Sequence, residues 1–355
     1  MACMLVALVL LLLPVGVARG EGTGLSVPGD MDGSGEVDAG DAAAMLRLLD
    51  GNGQADAALS GDVTQNGTVD GTDVLAALWM AAGKIADSVK FVERVSTGLL
   101  PETAFSRFCY DGSSVLTGGA YQNDTVSITI SSGRAYDSTY YLADIYLQDI
   151  RCLKAGYGGD GVFLSDARVP ELAAAYDALV AVNGDYYTQR AYGPIIRNGH
   201  TITGSVSPEP DLCVIGWDGV MTTFAHNTLD KATLAALDPY QTFAFGPRLL
   251  DESGHARSNF SSNISGVNPR TVLGYYSPGH YAFLVIDGRQ GSYSAGMSLS
   301  DTAAFAEELG FAAAYNLDGG RSSAMASRDG LINKPSQNGR VVSDILYISA
   351  SPENR

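Results

Sequence analysis

The chain has 355 residues, 39 acidic side chains against 22 basic ones, a formal charge of −17, 42 glycines and four cysteines. That length gives room for about two folded units with ample core, and the polyanionic balance argues against sequence-independent binding to nucleic acid. The acidity is uneven: residues 21–87 hold 12 acids and two bases, so a small acidic unit precedes a larger domain of nearly ordinary charge.

Met4 to Val17 is an unbroken apolar run of 14 residues followed by small residues. It is shorter than the roughly 20 residues a spanning helix needs, and residues 1–20 read as a secretory signal although no Lys or Arg precedes the run. A secreted, extracellular protein is expected, and no later segment is apolar enough to span a bilayer. Removing the signal leaves Cys109, Cys152 and Cys213. Three cysteines exclude a dense disulfide framework; one bond with a free thiol stays open, and each cysteine otherwise reads as a small buried hydrophobe.

The acidic segment repeats itself at an offset of 32 residues, matching Asp30 to Asp62, Gly35 to Gly67, Val37 to Val69, Asp38 to Asp70 and Asp41 to Asp73. Oxygen-bearing residues fall at loop positions 1, 3, 5, 9 and 12 of each copy: Asp30, Asp32, Ser34, Asp38 and Asp41, then Asp62, Thr64, Asn66, Asp70 and Asp73. From those positions a calcium loop aims oxygens at one hard cation, with a backbone carbonyl at position 7 (Glu36 and Thr68) and a glycine at position 6 for the sharp turn. Two Ca2+ sites are therefore expected, each followed by a short helix rich in Ala, Leu and Met. Position 12 is Asp where a general EF-hand has Glu.

A loop followed by a single helix, duplicated over residues 28–85, resembles the dockerin modules that attach secreted enzymes to cohesin domains of a cellulosome scaffold. The resemblance implies a cohesin partner; positions 10 and 11, which help to choose it in that family, are Ala39-Gly40 and Gly71-Thr72 and differ between the copies. Residues 86–96 read as a linker and 97–350 as the larger domain.

In that domain Val126 to Ile130 and Leu142 to Leu147 have strand-like patterns. Pro170 to Ala178 reads as a helix leading into the apolar segment Leu179 to Val182. Asn198-Gly199 and Asp218-Gly219 supply the positive φ of tight hairpin turns, and Arg270 to Tyr276 pairs with Tyr281 to Ile286 about Pro278-Gly279. Ser298 with Asp301 caps a helix that Gly310 ends. Interleaved helices and hairpins predict a mixed α/β (α+β) fold: a mixed β-sheet catalytic domain with flanking helices, beside a small α-helical calcium-binding module.

No Gly-x-Ser-x-Gly elbow, His-Glu-x-x-His or Walker loop occurs. The strongest local signal is Ala313 to Met325, where an apolar strand ends at Asp318, Gly319 and Gly320 let the backbone turn, and Arg321, Ser322 and Ser323 follow. Arginine, hydroxyls and successive N–H groups suit an anion, while the Asp can handle a proton or an electrophilic carbon; an ordinary turn explains the residues equally well. In Ala181 to Tyr187, Asn183 and Asp185 lie two apart and would share a face in extended backbone. Arginines recur at strand boundaries in Phe245-Gly-Pro-Arg248, Asn268-Pro-Arg270 and Ile286-Asp287-Gly-Arg289.

Taken in order, the stretches AVNGDYY, GPIIRNG, FGPRLL, NPRTVLG, LVIDGR, ELGF, YNLDGGRSSAM and NKPS…RVVSDILYI, over about residues 179–348, resemble the phosphodiester glycosidase family. The resemblance implies hydrolysis of a bond joining the anomeric carbon of a sugar, for example N-acetylglucosamine, to a phosphodiester. Phosphate leaves readily, so such a site needs cationic clamping more than general acid. The resemblance thus assigns Asp318 as catalytic carboxylate with Asp185 second, Asn183 and Ser322 as orienting groups, and Arg248, Arg270 and Arg321 as the clamp. Asp287, Gly319, Gly320 and Ser323 complete the expected substrate site, with no cofactor for catalysis. The competing class is a non-catalytic carbohydrate-binding or assembly component of an extracellular polysaccharide-degrading complex; either would meet a sugar phosphodiester or phosphate-containing polysaccharide.

Overall fold

The computed structural model describes residues 29–31, 34, 36–49, 63, 69, 71–81, 99–109, 114–117, 119–158, 167–189, 193–203, 211–260 and 262–352. The expected signal 1–20, the linker 86–96 and the loop positions Asp32, Asp62, Thr64, Asn66, Thr68 and Asp70 lie outside these residues. The chain forms two units, Met1–Thr97 and Gly98–Arg355.

In the first unit, α1 (Ala39–Leu49) and α2 (Gly71–Ala81) pack through Ala42, Met45, Val63, Val74, Ala76 and Ala77. A core this small buries little apolar surface, so it needs help from another source. The first-loop carboxylates fold the chain before α1: Asp30 accepts the N–H of Ser34 at 3.0 Å. Asp41 accepts those of Met31 and Asp38 at 2.7 Å each. Asp41 and its repeat counterpart Asp73 are both fully buried.

The second unit runs β1 (Val115–Thr117), β2 (Ala120–Gln122), β3 (Val126–Ala135), β4 (Ser138–Leu147), β5 (Leu153–Gly156), α3 (Val169–Ala175), β6 (Val180–Asn183), β7 (Ile195–Arg197) and β8 (His200–Thr203). It continues with β9 (Leu212–Gly216), β10 (Met221–Phe224), α4 (Lys231–Ala236), β11 (Pro239–Phe243), β12 (Arg270–Ser277), β13 (His280–Ile286), α5 (Leu299–Glu308), β14 (Ala313–Asn316), β15 (Met325–Ser327), β16 (Gly330–Leu331) and β17 (Ile345–Ile348). A seven-stranded sheet has the order β1-β2-β3-β4-β13-β12-β14, and a five-stranded one the order β16-β15-β6-β17-β5. Smaller sheets are β10-β9-β11 and β7-β8. The expected mixture of helices and sheets is present, and every ladder among the described residues is antiparallel.

Alternation along β12 and β13 sets the layers, because successive side chains leave a strand on opposite faces. Leu273, Tyr275, Tyr281, Phe283 and Val285 join a core with Val180, Val182, Leu346 and Ile348 of the five-stranded sheet and Cys213 and Ile215 of β9. Val272, Ala282, Leu284 and Ile286 point the other way, under Leu299, Ala303, Phe305 and Ala306 of α5. A third cluster seats α3, through Val169, Leu172 and Ala173, on Ala181, Ala326, Ile345 and Tyr347. The order is helix, sheet, sheets, helix. Strands buried on both faces read as continuous apolar runs, which is the pattern of Tyr281 to Ile286.

The expected turns form where the chemistry put them. Asn198 and Gly199 both have positive φ, 54° and 77°, between β7 and β8. The side chain of Ser298 accepts the N–H of Asp301 at 3.1 Å, and α5 stops before Gly310 at φ 79°. Cys109, Cys152 and Cys213 are free thiols, the latter two buried.

Candidate active site

The antiparallel register brings functional segments to one end of the two facing sheets. β12 begins at Arg270 opposite Ile286, the end of β13, and its Val272 lies opposite Asn316, the end of β14. In the second sheet, β6 ends at Asn183 opposite Ile345, where β17 begins. Thr271 Oγ1 donates to Asn183 Oδ1 at 2.8 Å and stitches the two ends together. Asn183 is fully buried, and its Nδ2 donates to the carbonyl of Asp318 at 2.7 Å. It therefore fixes the backbone from which the Asp318 carboxylate projects.

The Asp318–Gly319–Gly320 turn needs both glycines. A Cβ at Gly319 would lie 2.9 Å from the carbonyl of Pro269, and Gly320 adopts φ +66° while its N–H donates to that carbonyl at 3.0 Å. A single 3-10 turn, Gly320–Ser322, then folds Ser322 back so that its hydroxyl donates to Asp318 Oδ2 at 2.5 Å. The N–H of Gly319 donates to Asp318 Oδ1 at 2.9 Å.

Arg340 completes this group. Its Nη2 donates to Asp318 Oδ2, and its Nε donates to Ser322 Oγ at 2.5 Å. The guanidinium lies over the ring of Tyr186, 4.4 Å from the centroid. Tyr186 itself has φ +65°, a left-handed conformation that a bulky residue adopts only when its surroundings hold it there. Burial pushes the Asp318 carboxyl above its ordinary pKa, opposed by the Ser322 hydroxyl and the Arg340 charge. Asp318 is 7% exposed.

The other expected site residues occupy different places. Asp185 does not share a face with Asn183, because β6 ends at Asn183 and the two-residue alternation ends with it. Asp185 turns instead to Arg197, pairing with Nη2 at 2.8 Å and accepting the N–H of Ala244 at 2.9 Å. Arg197 Nε pairs with Asp344 at 2.7 Å, so one fully buried guanidinium holds two carboxylates. Gly184 lies against Asp344: a Cβ there would come 1.9 Å from Oδ1, which explains glycine in Asn-Gly-Asp.

Arg270 is buried, and its Nε and Nη2 donate to the carbonyls of Met297, Ile264 and Gly266, tying the chain before β12 to that before α5. Burial and the neighbouring Arg289 lower its pKa to about 10. Arg248 Nη1 pairs with Glu252 at 2.5 Å. The structure brings neither arginine to Asp318. Arg321 is exposed beside the turn and donates to the carbonyl of Gly339 at 3.3 Å. Asp287 is buried at the end of β13, accepting from Tyr293 Oη at 2.9 Å, Asn333 Nδ2 at 2.7 Å and the N–H of Lys334 at 3.1 Å. Burial raises its carboxyl pKa, while these donors oppose the shift. Asn333 also donates to the carbonyl of Ser323 at 3.3 Å, and Ser323 Oγ is buried without a hydrogen-bond partner.

Sequence reasoning missed Arg340, Tyr186, Arg197 and Asp344 as partners. Two of them lie in the closing stretch RVVSD, but only the fold shows that this stretch passes beside Asp318.

In the first unit, Asp30, Ser34, Asp38, Asp41 and the carbonyl of Glu36 supply oxygen alone, the donor set that calcium takes. Among the described residues no three carboxylate, His or Cys side chains close on one point, and Asp32 lies outside them. A fully buried carboxylate, Asp41, within this oxygen-only donor set fits a bound cation.

Residues 176–349 match the phosphodiester glycosidase family, and residues 28–76 the dockerin type I domain. No curated protein matches the chain. The fold is similar to the catalytic domain of zebrafish N-acetylglucosamine-1-phosphodiester alpha-N-acetylglucosaminidase, auto-inhibited by its pro-peptide, at 22% identity and a TM-score of 0.52. That similarity covers 64% of this chain and 83% of that one. A hypothetical protein from Synechocystis has a TM-score of 0.50 at 14% identity, over 63% of this chain and 62% of that one. Dockerin type I domains bind calcium and imply a cohesin partner, as in extracellular cellulosome components. Among the described residues no helix is long and apolar enough to cross a membrane. The chain thus carries a phosphodiester glycosidase domain over residues 176–349 and a dockerin type I domain over residues 28–76.

Proposed function

We propose that the second unit hydrolyses the glycosidic bond of sugar-1-phosphodiesters, such as N-acetylglucosamine-1-phosphodiester, while the first, with calcium in both loops, anchors it through a cohesin to an extracellular scaffold. The supporting observation is the buried Asp318 carboxylate bound by Ser322 and Arg340 beside the tight Gly319–Gly320 turn. The bond between the anomeric carbon and the phosphate oxygen breaks, the phosphate keeps the electron pair and leaves as a monoester, and water supplies the new anomeric hydroxyl.

Asp318 serves as base or nucleophile. Burial raises its pKa, which makes it a stronger base than an exposed carboxylate. Arg340 stabilises the charge that grows on the departing phosphate: two of its N–H groups hold Asp318 and Ser322, and a guanidinium has five. Asn183 is a positioning residue that acts through the Asp318 backbone. Asp185 sets the Asn-Gly-Asp segment through Arg197.

The test is the full-length protein on a sugar-1-phosphodiester with Asp318→Asn alongside. Release of a phosphate monoester by the wild type and its loss in the variant are expected. No product from the wild type across several sugars would overturn the reaction, and full activity in the variant would remove Asp318 from its role.

A further inference from the structure

Four more basic residues run away from Asp318 along the loops at the same end of the sheets. Arg321 donates to the carbonyl of Gly339, the residue before Arg340. A Cβ at Gly320 would lie 3.3 Å from both terminal nitrogens of Arg289, which donates to Asn268 Oδ1 through Nε at 3.1 Å and Nη2 at 2.6 Å. Gln290 then donates to the carbonyl of Lys334 at 2.7 Å, and Lys334 Nζ lies 4.9 Å from the centre of the Tyr293 ring. Arg134, from β3, donates to the carbonyl of Tyr293 at 2.7 Å. Neighbour by neighbour, the row is Arg340, Arg321, Arg289, Lys334, Arg134.

The partners of the outer four are carbonyls, an amide oxygen, a hydroxyl and an aromatic ring. Among the described residues no carboxylate lies within ion-pair distance of them, whereas Arg151, Arg248, Arg257 and Arg328 each pair with an Asp or Glu. All four are exposed. Opposing charge on this side comes from Asp137, on the β3–β4 turn whose carbonyl accepts the N–H of Ala295, and from the buried Asp287, which accepts from the N–H of Lys334 and from Tyr293 Oη. In a chain of charge −17, a row of exposed cations held by neutral groups suits anions, and it draws on separate segments of the chain rather than on one turn.

We propose that Arg321, Arg289, Lys334 and Arg134 form a cationic rim that binds successive phosphates of a glycan chain joined through phosphodiesters, so that the substrate of the site is a polymer rather than an isolated sugar phosphodiester. The proposal rests on the reaction assigned to Asp318 for its substrate class, but the rim binds polyanion whether or not turnover follows. Exposed arginine and lysine contacts to phosphate are screened by salt, so polymer affinity falls with ionic strength while the partly buried Asp318–Arg340 pair is less affected.

The experiment uses the full-length protein and a synthetic, fluorescently labelled oligomer of four glycosyl-1-phosphodiester units. The single-unit diester and a neutral tetrasaccharide serve as comparisons. The tetramer is expected to show a KM at least about ten-fold below the single unit at low salt, with the advantage lost by about 0.5 M salt. The double variant Arg134→Gln/Lys334→Gln removes most of that advantage while leaving kcat and the single-unit KM unchanged. Equal KM values for tetramer and single unit, equal binding of the neutral tetrasaccharide, or a double variant that leaves the tetramer KM unmoved would overturn the rim. If neither diester is cleaved, the assigned reaction fails; fluorescence anisotropy of the labelled tetramer on the wild type and double variant then still decides the rim, by loss or persistence of salt-sensitive binding.

Discussion

Replacing Arg340 by Gln separates a chemical role from a structural one. The wild-type guanidinium donates to both Asp318 and Ser322 and lies over Tyr186, on the rim of a carboxylate that is nearly buried. Removing one preorganised donor to a developing anion costs about 10²–10³ in kcat, or roughly 3–4 kcal/mol in the transition state. Arg340→Lys should recover part of this, since an ammonium restores the charge but not the planar fork that reaches two acceptors. The pH profile carries the sharper signal. Burial raises the Asp318 pKa and Arg340 opposes that rise, so its loss lets the pKa climb further. If Asp318 acts as carboxylate, the acid limb of kcat/KM must move to higher pH in Arg340→Gln. The assay is kcat/KM on a sugar-1-phosphodiester from pH 4 to 9, with thermal unfolding as a check on the fold. A loss below about three-fold, or an acid limb that stays in place, would refute the assignment of Arg340.

Two further outcomes follow from buried charge. Arg197→Met leaves the fully buried Asp185 and Asp344 without their shared cation and should destabilise the second unit by about 3–5 kcal/mol in urea unfolding. Burial and the Asp185 charge push Asp344 from 3.8 to about 6, although Arg197 pulls it down. A raised carboxyl favours the folded state when protonated, so its contribution is full below about pH 4 and fades as the pH rises through about 6. Asp344→Asn should flatten stability over that interval; an unchanged slope would contradict the assignment. In the first unit, chelation of calcium should abolish the helical circular dichroism of α1 and α2 and leave the strand-dominated spectrum of the second unit, and an unchanged spectrum would contradict calcium-dependent folding.

What the sequence revealed and what it concealed differ by range. The Asn198-Gly199 turn, the Ser298 cap and the β12–β13 hairpin depend on neighbours a few residues apart, and each was legible from composition and spacing. The Asp318-Gly-Gly turn was equally local. Its cation was not: Arg340 lies 22 positions further on, and the 3-10 turn brings Ser322 round to meet it. Arg197 is 147 positions from Asp344, and nothing in GPIIRNG marks that arginine as an internal clamp. Conversely, Arg270 at the head of a strand suggests a phosphate ligand until its carbonyl partners are seen. An arginine's role depends on which acceptors surround it, and those come from other elements.

Which bond breaks separates a glycosidase from a phosphodiesterase. Hydrolysis of a sugar-1-phosphodiester in water enriched with oxygen-18, followed by mass analysis of both products, tests it most directly. Cleavage at the anomeric carbon places the heavy oxygen on the sugar hydroxyl and leaves the phosphate monoester unlabelled. Label in the phosphate would mean attack at phosphorus, and would contradict a glycosidase built around Asp318.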